Sequence, residues 1–527
     1  MTASKRVEIY DTTLRDGAQA EDISFSVEDK LRILQKLDEF GIHYAEGGWP
    51  GAVPKDDEFF KRGMKLKLKN TKLVVFGSTR KSGTKAEKDK GFTNLLNFSR
   101  GIITLVGKSW LLHVKEALRV SPEENLDMLH DSIRFLKKRI DRVFFDAEHF
   151  FDGYKDDPVY SKKVIAAAIS AGADCVVLCD TNGGSMPWEV EKIINALKHE
   201  ITCPLGIHCH NDSGTAVANS ISAVMAGVTQ VQGTINGIGE RCGNANLSTI
   251  IPNLKFKLGI KCLPDENIKQ LKAVSHFISE VANMQPFRHD PYVGESSFAH
   301  KGGLHASGIM KNPLTYEHIQ PELVGNERRI LISDQAGRSN IIHKLKKMGI
   351  TGVTLDNISG KILETVKKME KYGYEYEGAE ASFEILVKKA MNKHRKFFTL
   401  KGFRVIDEKH QDGGQPYSEA TVMVEVGGKI EHTAAVGNGP VNALDNALRK
   451  ALEKFYPSLK EVKLLDYKVR VLTAQSGTAS SVRVLIESGD GKDTWSTVGV
   501  SENIIEASWF SLLDSIEYKL LKDEAIK

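Results

Sequence analysis

The chain has 527 residues, 41% apolar and 27% charged, with a formal net charge of +4. That is the composition of a globular protein long enough for several domains, or for one α/β barrel with appended modules. It argues against whole-chain nucleic-acid binding, a disulfide framework (six cysteines, no CxxC pair) and a membrane span of ~18 apolar residues.

The N-terminus reaches a strand-like run at Val7 with no signal-type apolar segment, so a cytoplasmic location is expected. Strand-like runs follow at Val7–Asp11, Tyr44–Gly47, Leu73–Gly77, Ile102–Val106, Arg142–Asp146, Cys175–Cys179, Leu205–His208 and Gln230–Ile235. Helical patterns lie between them, as at Val27–Phe40, Pro122–Arg139, Val164–Ala171, Val190–Lys198 and Gly214–Ala226. Eight such repeats predict a (β/α)8 TIM barrel over residues 1–270. Continuous Val/Ile/Leu strands fit a parallel sheet buried on both faces. The basic run Lys61–Lys69 reads as solvated surface.

Residues 271–388 read as a mostly helical linker region, broken by the Gly-rich segment Phe298–Gly308. From 389 to 527 alternating strands take over and repeat. Thr433/Thr497, Val436/Val500, Val441/Ile505, Ala443/Ala507 and Leu448/Leu512 all stand 64 residues apart. Two β–β–β–α halves are predicted, forming an α+β repeat domain.

In a barrel of this kind, chemistry gathers where the strands end and the βα loops start. Gly206-Ile-His-Cys-His-Asn-Asp212 places His208 and His210 on one face at the end of the seventh strand. Asp16 follows the first strand in Asp11-Thr-Thr-Leu-Arg-Asp-Gly17, and Asn244 follows the eighth in Gly-Glu-Arg-Cys-Gly-Asn244. Strands seven, eight and one are neighbours in a closed barrel, so the four side chains converge. Two imidazoles, a carboxylate and an amide suit Mg²⁺, Mn²⁺ or Zn²⁺ acting as a Lewis acid. Arg15, beside Asp16, is placed to stabilise an enolate or oxyanion, or else to form a salt bridge to the eighth strand through Glu240. Glu46, Glu148 and Thr181 complete the polar rim, the carboxylates as acid/base groups or as partners of Arg15 and the histidines. Phe145, Phe76 and Leu105 are candidate walls for a small substrate.

Together these motifs resemble the DRE-TIM metallolyases, and within them the 2-isopropylmalate, homocitrate and citramalate synthases. The resemblance spans nearly the whole chain, and Phe145-Asp-Ala-Glu-His-Phe-Phe-Asp-Gly-Tyr154 points to the citramalate-forming branch. It implies an acyltransferase that condenses acetyl-CoA with pyruvate. It implies Asp16, His208, His210 and Asn244 as metal ligands, Arg15, Thr181 and Glu46 at the 2-oxo acid, and Glu148 near the reacting centre. It further implies His305 as a catalytic histidine supplied across a homodimer. Ser307 stands where the family often carries Asp, so Ser307 or Tyr316 must orient His305. By the same resemblance the C-terminal module is regulatory, with isoleucine as effector; simple dimerisation is the plainer role. 2-Isopropylmalate synthase, using 2-oxoisovalerate, and homocitrate synthase are the alternatives. A lyase or aldolase would share the metal motif without the repeat. A non-catalytic effector-binding protein would not need the four ligands together.

Overall fold

The computed structural model describes residues 6–198, 200–332, 337–350, 354–409, 416–472 and 480–526. Eight parallel strands close into a barrel in chain order. They are β1 (Glu8–Asp11), β2 (Tyr44–Glu46), β3 (Lys72–Ser78), β4 (Ile102–Lys108), β5 (Arg142–Glu148), β6 (Cys175–Asp180), β7 (Leu205–Cys209) and β8 (Gln230–Gly233). β1 closes the barrel on β8, with Glu8 opposite Gln230 and Asp11 opposite Gly233. β7, β8 and β1 are therefore adjacent, as the site requires.

The barrel is apolar on both sides of its wall, and the two-residue period of each strand decides which side a residue takes. Tyr10, Tyr44, Val74, Ile102, Phe144, Val177 and Cys179 fill the interior. Their neighbours Ile9, Ala45, Val75, Ile103, Phe145 and Leu178 pack outward with the helices. The first helix, Val27–Phe40, shows why these segments are helical. Ser26 and Asp29 form a capping box, Ile33, Leu34, Leu37 and Phe40 are buried, and Gly41 at φ 88° ends it.

The described chain divides into two compact units, Met1–Phe298 with His318–Arg328, and Ala299–Glu317 with Arg329–Lys527. The division differs from the one expected at residue 270. Helix Leu271–Val281 buries Leu271, Val274 and Ile278 in the barrel's own core, so that stretch belongs to the first unit.

The second unit contains a short parallel pair, β9 (Ala299–His300) with β10 (Arg329–Ile330), and helices Gly303–Lys311, Arg338–Lys347, Thr354–Lys371 and Glu380–Ala390. Its repeat halves are β11 (Thr399–Glu408), β12 (Tyr417–Val426) and β13 (Lys429–Gly437) with helix Pro440–Leu452, then β14 (Lys463–Val471), β15 (Val482–Gly489) and β16 (Thr494–Ser501) with helix Ile504–Ile526. The equivalence extends to single bonds. Thr433 Oγ1 donates to the Ala447 carbonyl at 3.0 Å, and Thr497 Oγ1 to the Ser511 carbonyl at 2.9 Å. No helix among the described residues is long and apolar enough to cross a membrane.

Candidate active site

The segment after β1 is built to present two charges. The Asp11 carboxylate accepts from the backbone N–H and hydroxyl of Thr13, both at 2.9 Å. The Thr12 carbonyl then collects the N–H groups of Arg15, Asp16 and Gly17 in one tight turn. Thr13 Oγ1 accepts from the Ile235 N–H at 3.1 Å, tying this turn to the end of β8. Arg15 and Asp16 thus meet the residues of β7 and β8 at a fixed height.

Asp16, His208 and His210 are buried and converge. Asp16 Oδ2 lies 3.3 Å from His208 Nε2 and 3.8 Å from His210 Nε2. One donor atom from each lies within 4.8 Å of the others. Asn244 is brought opposite His210 because the loop after β8 folds back. Gly243 has φ +89°, and a side chain there would meet the Gly237 carbonyl at 2.0 Å. That turn pairs Asn244 with His210 in an isolated β-bridge. The buried Asn244 Oδ1 has no hydrogen-bond partner among the described residues. An orphaned amide oxygen on the residue bridged to His210 suits the same divalent cation as the converging Asp16, His208 and His210 donors.

Electrostatics agree with that use. Burial alone would raise the Asp16 carboxyl, but Arg15, the bond from His208 and the two imidazoles hold it far below the ordinary range. Burial, with His208 beside it, lowers His210 to about 4, so its imidazole is neutral and free to donate a lone pair.

Arg15 is locked from two sides. Its Nε donates to Glu46 Oε1 at 2.5 Å, and its guanidinium lies 4.1 Å from the Phe76 ring centre. The salt bridge to β8 through Glu240 does not form; Glu240 pairs with Arg241 at 3.6 Å. Glu46, expected at the substrate, is fully buried, and its second oxygen accepts from the Tyr10 hydroxyl at 2.5 Å. It lies beneath Arg15 and holds it.

A cavity of about 570 Å³ opens over this cluster, walled by Arg15, Phe76, Val106, Asp146, Glu148 and Thr181 among others. Phe76 is a wall as expected. Phe145 and Leu105 are not: both are fully buried on the outward side of the barrel, and Asp146 and Val106, one place along, face the cavity. Glu148 forms an ion pair with Lys108. Thr181 Oγ1 accepts from the His149 N–H at 2.9 Å, leaving its own proton to donate. Asp146, Trp49 and Gln232 were absent from the expected set. Asp146 was within reach of the two-residue period, being two places before Glu148 on β5; Trp49 sits in a loop with no periodicity to read.

His305 lies in the second unit, exposed on helix Gly303–Lys311, its ring stacked on Tyr316 at 4.2 Å. Of the two candidate orienting groups, Tyr316 makes this contact.

Residues 6–278 match the HMGL-like family model, 292–373 the homocitrate synthase post-HMGL domain-like model, and 377–520 the LeuA allosteric (dimerisation) domain. The chain belongs to the HMGL-like family. Among its relatives it is 60% identical to the (R)-citramalate synthase of Geobacter sulfurreducens, over 99% of both chains. It is 55% identical to that of Aquifex aeolicus, again over 99% of both. Identity to the 2-isopropylmalate synthase of Methanocaldococcus jannaschii is 34%, over 98% of this chain and 96% of that one. This member thus joins the HMGL-like barrel to a LeuA-type domain.

Proposed function

We propose that the chain is an acyltransferase that condenses acetyl-CoA with pyruvate and hydrolyses the thioester, giving (R)-citramalate and CoA. The observation that carries the chemistry is the buried Asp16–His208–His210 cluster at the mouth of a cavity, with Arg15 fixed beside it. Pyruvate is favoured over 2-oxoisovalerate by the full-length identities of 45–60% to (R)-citramalate synthases, against 34% to a 2-isopropylmalate synthase.

Asp16, His208, His210 and Asn244 would hold Mg²⁺ or Mn²⁺, with Zn²⁺ also compatible with these donors. A cation bound there supplies Lewis-acid polarisation of the 2-oxo acid carbonyl. Arg15, held by Glu46 and Phe76, stabilises the negative charge that develops on the reacting oxygens. Thr181 donates its hydroxyl proton to the substrate carboxylate. Glu148 faces the cavity and is placed to move a proton, either from the acetyl methyl group or from the hydrolytic water. His305, from the partner subunit of a homodimer, would complete the set. The C-terminal repeat would bind isoleucine, the end product of a citramalate-based pathway.

The test is acetyl-CoA-dependent thiol release with pyruvate, 2-oxoisovalerate and 2-oxoglutarate in parallel. Release should require pyruvate, stop with EDTA and return on adding Mg²⁺ or Mn²⁺. Faster turnover of 2-oxoisovalerate would move the assignment to 2-isopropylmalate synthase.

A further inference from the structure

Gln232 is the third residue of β8, fully buried inside the barrel, where a polar amide needs partners on both ends. It has them. Gln232 Oε1 lies 3.1 Å from His208 Nδ1, and Gln232 Nε2 donates to Asp146 Oδ1 at 3.2 Å. Asp146 and His208 are themselves only 4% and 5% exposed, so water does not substitute for either bond.

The order of these contacts settles a question that the ring alone leaves open. Asp146 Oδ1 accepts whether the group is ionised or carries its proton on Oδ2, and the NH₂ end of the amide faces it at 3.2 Å. The carbonyl end then faces His208, and Nδ1 must carry a proton to bond with it. Nε2 is thereby the nitrogen left facing Asp16, 3.3 Å away, to which it donates; a cation bound there would displace that proton and take the Nε2 lone pair. Were the amide reversed, its oxygen would oppose the Asp146 oxygens. Its NH₂ would then donate to Nδ1, and Nε2 would hold the proton and lose its power to ligate.

We infer that Gln232, oriented by Asp146, is a positioning residue that fixes His208 in its metal-ligating tautomer. The inference rests on the metal-site reading above and extends it from β7 and β1 to β8 and β5. Asp146 has two tasks in this arrangement: it walls the cavity and sets the amide.

The experiment is Mn²⁺ binding to the full chain, followed by electron paramagnetic resonance, with thermal unfolding of each metal-free variant alongside. Gln232→Leu should weaken Mn²⁺ binding by about 10–100-fold while the metal-free unfolding midpoint stays near wild type. Gln232→Glu keeps an acceptor for Nδ1–H and should lose clearly less affinity than Gln232→Leu. If Gln232→Leu does not fold, Gln232→Met, of similar length and without an amide, takes its place. Asp16→Ala should abolish binding. Wild-type affinity in Gln232→Leu, with binding lost in Asp16→Ala, overturns the positioning role and leaves the metal site standing. Equal losses in the Leu and Glu variants also overturn it, because a packing role alone would not distinguish an acceptor from a methyl group. Wild-type binding in Asp16→Ala sinks the metal site and the positioning role together.

Discussion

Arg15 shows how a single residue is prepared for chemistry. Its Nε is committed to Glu46 and its flat face to Phe76, its Nη1 lies 3.6 Å from Asp16, and the residue lines the cavity. Lysine has neither a planar face nor a fixed fork, so Arg15→Lys retains the charge and loses the aim. Turnover should fall about 10²–10³-fold, the size of losing one well-placed donor to a developing oxyanion. Mn²⁺ affinity should stay near wild type, because Arg15 donates no ligand. Steady-state kinetics beside metal binding would check this, and a lost metal with unchanged turnover would refute it. The four ligand candidates were legible because short polar motifs interrupt apolar strands. The walls were harder to read. In a parallel strand buried on both faces, hydrophobicity does not say which residue points inward. Phe145 therefore passed for a wall when Asp146 was the residue facing the cavity. Of the two roles the sequence left open for Glu46, at the substrate or as a partner of Arg15, the structure shows the pairing with Arg15. Sequence alone does not reveal that Tyr10 occupies its other oxygen.

At the scale of elements, the loop after β2 is clamped by a buried ion pair. Lys30 Nζ lies 2.5 Å from Asp56 Oδ1, with side chains 5% and 8% exposed, and also donates to the Gly47 carbonyl at 3.1 Å. Asp56 Oδ2 accepts from the Trp49 N–H at 2.9 Å. Trp49 then meets Phe76 edge-on, with ring centres 5.7 Å apart, and Phe76 supports Arg15. Lys30→Met would strand the Asp56 charge and should cost about 3–5 kcal/mol in urea unfolding. Lys30→Met with Asp56→Leu should recover part of that; a loss below about 1 kcal/mol in the single variant would show that the pair is not the clamp. The end of β1 carries a pH signal. Burial raises Asp11 to about 7, although its bonds from Thr13 pull the other way. A carboxyl with a raised folded pKa binds its proton more tightly in the folded state. Its contribution is full below the ordinary value near 4 and is lost as the pH climbs to about 7. Asp11's share of the stability should therefore fall between about pH 4 and 7. Asp11→Asn should flatten part of the fall; Asp146 and Asp514, raised by burial to about 7 and about 6, add to it with the same sign, and His210, lowered to about 4, opposes it. An unchanged slope in Asp11→Asn would refute the assignment.

At the scale of the whole molecule, periodicity revealed eight barrel repeats and a 64-residue duplication, but the true division of the chain was hidden from it. Helical residues look alike in sequence whichever core they join, and only packing separates Leu271, Val274 and Ile278 in the barrel from Ile341, Leu345, Ile362 and Val366 in the second unit. That second core also takes Phe383, Val387 and Val498, so it is shared between the linker helices and the repeat. A truncation near Lys388 would cut helix Glu380–Ala390 and uncover that core, so lost effector sensitivity in such a fragment would say little. The intact chain gives a cleaner measurement. Two units with separate cores should melt in two calorimetric transitions. Isoleucine bound to the repeat should raise the transition of the second unit by the linkage energy, about 2.7 kcal/mol at a hundredfold excess over Kd, and leave the barrel transition where it is. Pyruvate with Mn²⁺ should do the reverse. An isoleucine shift confined to the barrel would place the amino acid at the catalytic cavity instead, as a substrate competitor, and the regulatory role of the repeat would be lost with it.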